Sequence, residues 1–207
     1  MDNKDLIRQY VDTGLSIPEQ QFRKLSNNLR QTYIRKRMLA VLNDGWNRFS
    51  DYEYEVLDDD SKKKYLRKVL NTHDEVTERM FNASSDDIRE YYVNLVIEKG
   101  DSLSIEEYMG ISDELKEKYM LDRVQKGKLL SNSQLRHTPD ELKYKYMNAK
   151  IDGRRSIASW EFEDLPDDLK IKYLTQRIAD GRKLEKWEYD YAPNNLKEKY
   201  LNYGYNK

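Results

Sequence analysis

Glu53, Glu107, Glu161 and Glu188 recur at equivalent places along the chain, and a row of carboxylates is what general acid–base catalysis or a hard metal ion would use. Glu53 and Glu107 each stand three residues after a serine, Ser50 and Ser104, the spacing at which a carboxylate caps the start of a helix. Capping accounts for both without any chemistry, and carboxylates spread along a stacked fold sit too far apart for one metal ion to bridge. The only histidines, His73 and His137, fall near expected helix ends or loops. Their titration near neutral pH would suit a catalytic pair, and exposed loop positions are the simpler reading. The chain has no Gly-rich phosphate loop, no HExxH and no nucleophile elbow. The expectation is therefore no catalytic residue, no metal and no cofactor, and a protein that is not an enzyme.

A second chemistry is written in two further columns. Tyr33, Tyr65, Tyr92, Tyr119, Tyr146, Tyr173 and Tyr200 each follow a basic residue three places earlier: Arg30, Lys62, Arg89, Lys116, Lys143, Lys170 and Lys197. Aromatic platforms beside cations can hold a single-stranded nucleic acid. The same tyrosines also lie inside an apolar arc, where they would be core residues whose hydroxyls need partners, with the lysines keeping their charges in water.

The elements that must position these residues follow from a repeat. Units start near Asp2, Leu29, Ser61, Ile88, Leu115, Leu142, Leu169 and Leu196. The interval is constant apart from a five-residue insertion between Leu29 and Ser61, and a period of about 27 residues lies in the range of stacked repeat architectures. A further apolar column reads Ile17, Phe49, Val76, Leu103, Leu130, Ile157 and Leu184, and another Phe22, Tyr54, Phe81, Tyr108, Leu135, Phe162 and Tyr189. Self-similarity of this length marks stacked helical hairpins. The first helix of a unit begins near Pro139, Pro166 or Pro193, with Thr138-Pro139-Asp140-Glu141 spaced as a capping box, and stops near Gly100, Gly127, Gly153 or Gly181. The second is short and starts at Ser50, Ser104 or Ser131. On the first helix Leu169, Tyr173, Leu174 and Ile178 span an arc wide enough to touch neighbours on two sides. The expected fold is an all-α solenoid of about eight tandem helical-hairpin repeats, one domain over residues 1–207, built by stacking because no hairpin can bury that arc alone.

Composition narrows the classes further. With 37 basic and 38 acidic residues the formal net charge is −1, which argues against a global basic field. Cysteine is absent, removing disulfides and thiolate chemistry together. No apolar run is long enough for a membrane span, and the first residues lack a basic-then-apolar signal pattern. These features predict a soluble cytoplasmic protein.

The stretch PDDLKIKYLTQRIADG, from Pro166 to Gly181, and its copies fit the pattern PxxLKxKYxxxxIxxG followed by ExF or ExY. In this the chain resembles short helical-hairpin repeat proteins of large tailed phages. The resemblance covers nearly the whole chain and is loosest in repeats 1 to 3. It implies a phage-encoded protein of the host cytoplasm that modulates a host or defence factor, and it carries no activity.

Residues that break the repeat rule are the candidate partner sites, since stacking does not require them. Trp160 and Trp187 share a column occupied elsewhere by Gln20, Tyr52, Arg79, Glu106 and Ser133, and paired tryptophans suit a binding hot spot as well as they suit covers for the next repeat's apolar edge. The five-residue insertion in repeat 2 gathers Arg35, Lys36, Arg37, Trp46 and Arg48, as an interaction element or a kink. Lys126, Lys128, Arg154, Arg155, Arg182 and Lys183 make the loops of later units basic, a possible edge for an acidic partner or a phosphate backbone. The tail holding Tyr203 and Tyr205 either covers the last helix or supports self-association. The leading expectation is a scaffold that binds another protein, and the alternative is a nucleic-acid binder using the Lys and Tyr columns and the basic edge.

Overall fold

The computed structural model describes residues 5, 8–10, 15–43, 47–72 and 74–203. Among them all regular structure is helical, as α1 (Glu19–Lys24), α2 (Asn27–Asn43), α3 (Asp51–Glu55), α4 (Asp59–Asn71), α5 (Glu78–Asn82), α6 (Asp86–Lys99), α7 (Ile105–Met109), α8 (Asp113–Gln125), α9 (Asn132–Arg136), α10 (Asp140–Asp152), α11 (Ser159–Glu163), α12 (Asp167–Ala179), α13 (Lys186–Tyr191) and α14 (Asn194–Asn202). Long and short helices alternate in the order the repeat dictates. The insertion of repeat 2 is absorbed by the helix itself: α2 has 17 residues where α4, α8, α10 and α12 have 13, about one extra turn.

The chain forms two compact units, residues 1–111 and 112–207, each a run of the same repeat. In the first, α2 packs on α4 and α4 on α6, while α3 packs on α5 and α5 on α7. In the second, α8, α10, α12 and α14 pack in succession. Long helices thus meet long helices of the next repeat, and this sequential packing makes the architecture an all-α, solenoid-like repeat.

Local chemistry sets the boundaries. Long helices open on Asp58, which accepts the Ser61 N–H at 2.7 Å, or on Ser112, which accepts that of Leu115 at 3.3 Å. Acidic pairs such as Asp59 with Asp60 and Asp113 with Glu114 fill the first turn, where the helix dipole favours negative charge. The short helices start as their spacing predicts: the Ser104 N–H donates to Glu107 Oε2 at 2.8 Å while Ser104 Oγ accepts the Glu107 N–H at 3.1 Å, and Ser131 with Gln134 repeats the exchange.

One expected cap is corrected. Thr138 does not cap α10: its hydroxyl donates back to the Gln134 carbonyl at 2.8 Å, and Pro139, at φ −56° and ψ 147°, takes the N-cap place. α10 stops at Gly153 as expected, but with φ −74° this glycine leaves the left-handed turn to Arg154, at φ 56°, where Gly100, Gly127 and Gly181 take it after α6, α8 and α12.

Candidate functional site

The tyrosine column lies in the core, with Tyr33, Tyr65, Tyr119, Tyr146 and Tyr173 all at most 2% exposed. Several of the hydroxyls share one task. Tyr33, Tyr146, Tyr173 and Tyr200 accept the buried backbone N–H of Ile17, Leu130, Ile157 and Leu184, sixteen residues earlier in every case, at 3.2, 3.2, 3.4 and 3.3 Å. Those amides lie where the chain enters a short helix and have no ladder to join, so a phenylalanine would leave them unpaired. Burial pushes the Tyr54 and Tyr65 hydroxyls up to about 12 and keeps them protonated.

The glutamate column is buried beside the tyrosines. Tyr92 Oη donates to Glu107 Oε1 at 2.6 Å, and Tyr33 Oη donates to Glu53. A cation one turn beyond the tyrosine neutralises three of these carboxylates: Arg37 lies 3.6 Å from Glu53, Lys150 2.6 Å from Glu161 and Arg177 3.3 Å from Glu188. The corresponding residue before Glu107 is Val96, and burial raises the Glu107 carboxyl above its ordinary range. In the repeat of Val69 the acidic place is taken by Met80, and in that of Arg123 by Gln134. Where cation and carboxylate are both present they neutralise each other inside the core, as a structural pair does. Among the described residues no three His, Asp or Glu side chains gather to hold a metal ion.

The basic column is also internal to the repeat. Arg30, Lys62, Arg89, Lys170 and Lys197 lie over the rings of Phe22, Tyr54, Phe81, Phe162 and Tyr189, at 5.8, 5.3, 5.4, 5.7 and 5.5 Å from the centroids. Several also hydrogen-bond the carbonyls that end the short helix before them, as Arg89 does at Phe81 and Asn82 and Lys62 does at Ala83.

One repeat breaks this arrangement. Leu135 stands where every other unit has an aromatic ring, so Lys143 has no ring of its own beneath it and bonds Asp140 at 3.3 Å. A groove of about 580 Å³ opens there. Leu135, Met147 and Leu169 make its apolar floor, Trp160 stands beside them, and Asp140, Lys143 and Asp164 bring charge to it. Trp160 is 42% exposed. Its counterpart Trp187 is half-buried and lies edge-on against Phe162, 5.0 Å between centroids, so the two tryptophans have different settings.

The other candidates are dispersed. Trp46, His73 and Tyr205 lie outside the described residues. Arg35 and Lys36 are exposed on α2, whereas Arg37 is buried and donates to the Arg48 carbonyl at 2.6 Å, to Asn47 and to Ser16, so the insertion's basic set does not form one surface. Arg48 pairs with Asp74. Tyr52 is half-buried against Phe22, 5.4 Å between centroids, and its hydroxyl donates to the Ile17 carbonyl. In the second unit Arg154, Arg155 and Arg182 do share an edge, but Asp180 sits among them, 3.1 Å from Arg154. Lys126 pairs with Asp122 at 2.9 Å, and Lys128 and Lys183 are exposed. His137 is exposed, with Nδ1 2.8 Å from the Ser133 carbonyl.

The tryptophan column therefore led to the groove, whereas in the sequence Leu135, Asp140 and Lys143 read as members of the aromatic column, a capping box and the basic column, and Asp164 is not singled out. Their signal was the one non-aromatic residue in an otherwise aromatic column. Among the described residues no helix is long and apolar enough to cross a membrane. No protein-family model matches the chain, and no curated protein or solved structure does either.

Proposed function

We propose that this chain is a non-enzymatic repeat scaffold that binds another protein through the groove beside Trp160. The observation that carries this reading is the contrast within one column: Trp187 covers Phe162, while Trp160 is left 42% exposed over an apolar floor. An exposed tryptophan beside a concave apolar patch with a charged rim is the composition of a binding hot spot. The likeness to phage helical-hairpin repeats extends the proposal to a phage-encoded modulator of a host or defence factor acting in the host cytoplasm.

The test is a pull-down with tagged wild-type chain and with Trp160→Ala, each with and without nuclease. A discrete protein retained by wild type, resistant to nuclease and lost with Trp160→Ala supports the scaffold. Retention that disappears on nuclease treatment transfers the function to nucleic acid, and a partner indifferent to Trp160→Ala removes the groove from the reading.

A further inference from the structure

The repeat that follows the groove contains the same pocket already filled. There Tyr191 lies edge-on against Phe162, 5.2 Å between centroids at 87°, with Lys170 Nζ 5.0 Å from the Tyr191 centroid. The Tyr191 hydroxyl donates to Asp167 Oδ1 at 2.7 Å, and that bond raises the phenol above its ordinary range. Trp187 also lies against Phe162, 5.0 Å between centroids. Counting back one period, Phe162 becomes Leu135, Lys170 becomes Lys143, Asp167 becomes Asp140, Trp187 becomes Trp160 and Tyr191 becomes Asp164. All five counterparts line the open groove. The cation, the carboxylate and the tryptophan are kept, and the phenol is missing, replaced by a side chain too short to fill its place. The first unit shows the same adjacency: a Cβ at Gly110, which shares the column of Tyr191, would stand 2.7 Å from the Phe81 ring.

We propose that the groove takes a tyrosine side chain supplied by the partner protein, seated as Tyr191 is seated one repeat later. This rests on the scaffold reading and names its ligand. Charge complementarity sets the pose. The ring packs against Leu135 with the Lys143 ammonium over its face, the phenol O–H donates to the Asp140 carboxylate, and Trp160 lines the same groove. Phenylalanine keeps the ring contacts and offers Asp140 no phenol O–H. Phosphotyrosine brings a dianion to Asp140, Glu163 and Asp164 and is repelled.

The experiment titrates the full chain, ¹⁵N-labelled, with N-acetyl-tyrosinamide, N-acetyl-phenylalaninamide and N-acetyl-O-phosphotyrosinamide, reading the Trp160 indole N–H. The tyrosine amide is expected to move that signal, the phenylalanine amide to bind about tenfold more weakly, the scale of one hydrogen bond to a charged group, and the phosphorylated amide not to bind. Asp164→Tyr, which restores the phenol found one repeat later, is expected to abolish the shift with helicity unchanged, and Asp140→Ala to equalise the two unphosphorylated amides. Equal affinities in the wild type, or a shift that survives Asp164→Tyr, would overturn the tyrosine site. Capture of a partner that requires Trp160 but ignores Asp140→Ala and Asp164→Tyr would also overturn it while leaving the scaffold standing. Concentration-dependent dimerisation abolished by Asp164→Tyr would make a second copy of this chain the donor and overturn a separate partner.

Discussion

The Lys150 ammonium lies 2.6 and 2.7 Å from the two carboxylate oxygens of Glu161, with Lys150 1% and Glu161 6% exposed. Glu161 also accepts the Ala158 N–H at 2.7 Å, so the pair is locked to the start of α11. Replacing Lys150 by Met leaves a buried carboxylate without its cation, and the expected cost is about 3–5 kcal/mol in denaturant unfolding. The double variant Lys150→Val with Glu161→Met copies the Val69 and Met80 combination this protein already uses, and it should regain most of that loss. A double variant no more stable than Lys150→Met would show that the pair does more than neutralise itself.

Glu107 has no cation at the place where Glu53, Glu161 and Glu188 have one, and burial raises its carboxyl. A group that holds its proton more tightly when folded contributes stability below the unfolded carboxyl range, about 4.3, and loses that contribution as pH rises through the folded value. Glu107→Gln cannot ionise, and Gln134 fills the same place in the next repeat. The gap in unfolding midpoint between Glu107→Gln and wild type should therefore widen in the variant's favour from about pH 4 to about pH 7. A gap that stays constant, or shifts the other way, would contradict the assignment.

Tyr33→Phe deletes the hydroxyl that accepts the Ile17 N–H and donates to Glu53. An unsatisfied buried donor costs about 1–3 kcal/mol, so the variant should unfold earlier by that amount. Hydrogen exchange supplies the local check: the Ile17 amide should lose more protection than amides in the middle of α2.

The two tryptophans should separate in stability as they do in packing. Trp187→Ala uncovers Phe162 and is expected to cost about 2 kcal/mol, whereas Trp160→Ala at an exposed site should cost under about 1 kcal/mol. Equal losses in thermal unfolding would mean that Trp160 is packed as its neighbour is.

Much of the architecture was legible before any coordinates, because stacking imposes its demands at a fixed interval and the interval is visible. The period itself, the paired long and short helices, the serine-started short helices and the buried tyrosines all follow from which residue types recur. Thr138 misled because its spacing suits a capping box while Pro139 holds the N-cap place and the hydroxyl turns back to Gln134. Arg37 misled because a basic run on α2 reads as surface, while the turn of the helix carries its third member inward to Glu53.

By itself, then, the sequence determined the repeat, its helices and the columns that must be apolar, since each is a property of one position read down the units. Only the tertiary structure decided which members of a column are covered. The setting of Leu135 depends on Trp160 and Asp164 in the following repeat, as that of Phe162 depends on Trp187 and Tyr191. Packing joins one column to another across repeats, and a groove exists where a small side chain in one column meets a short one in the other.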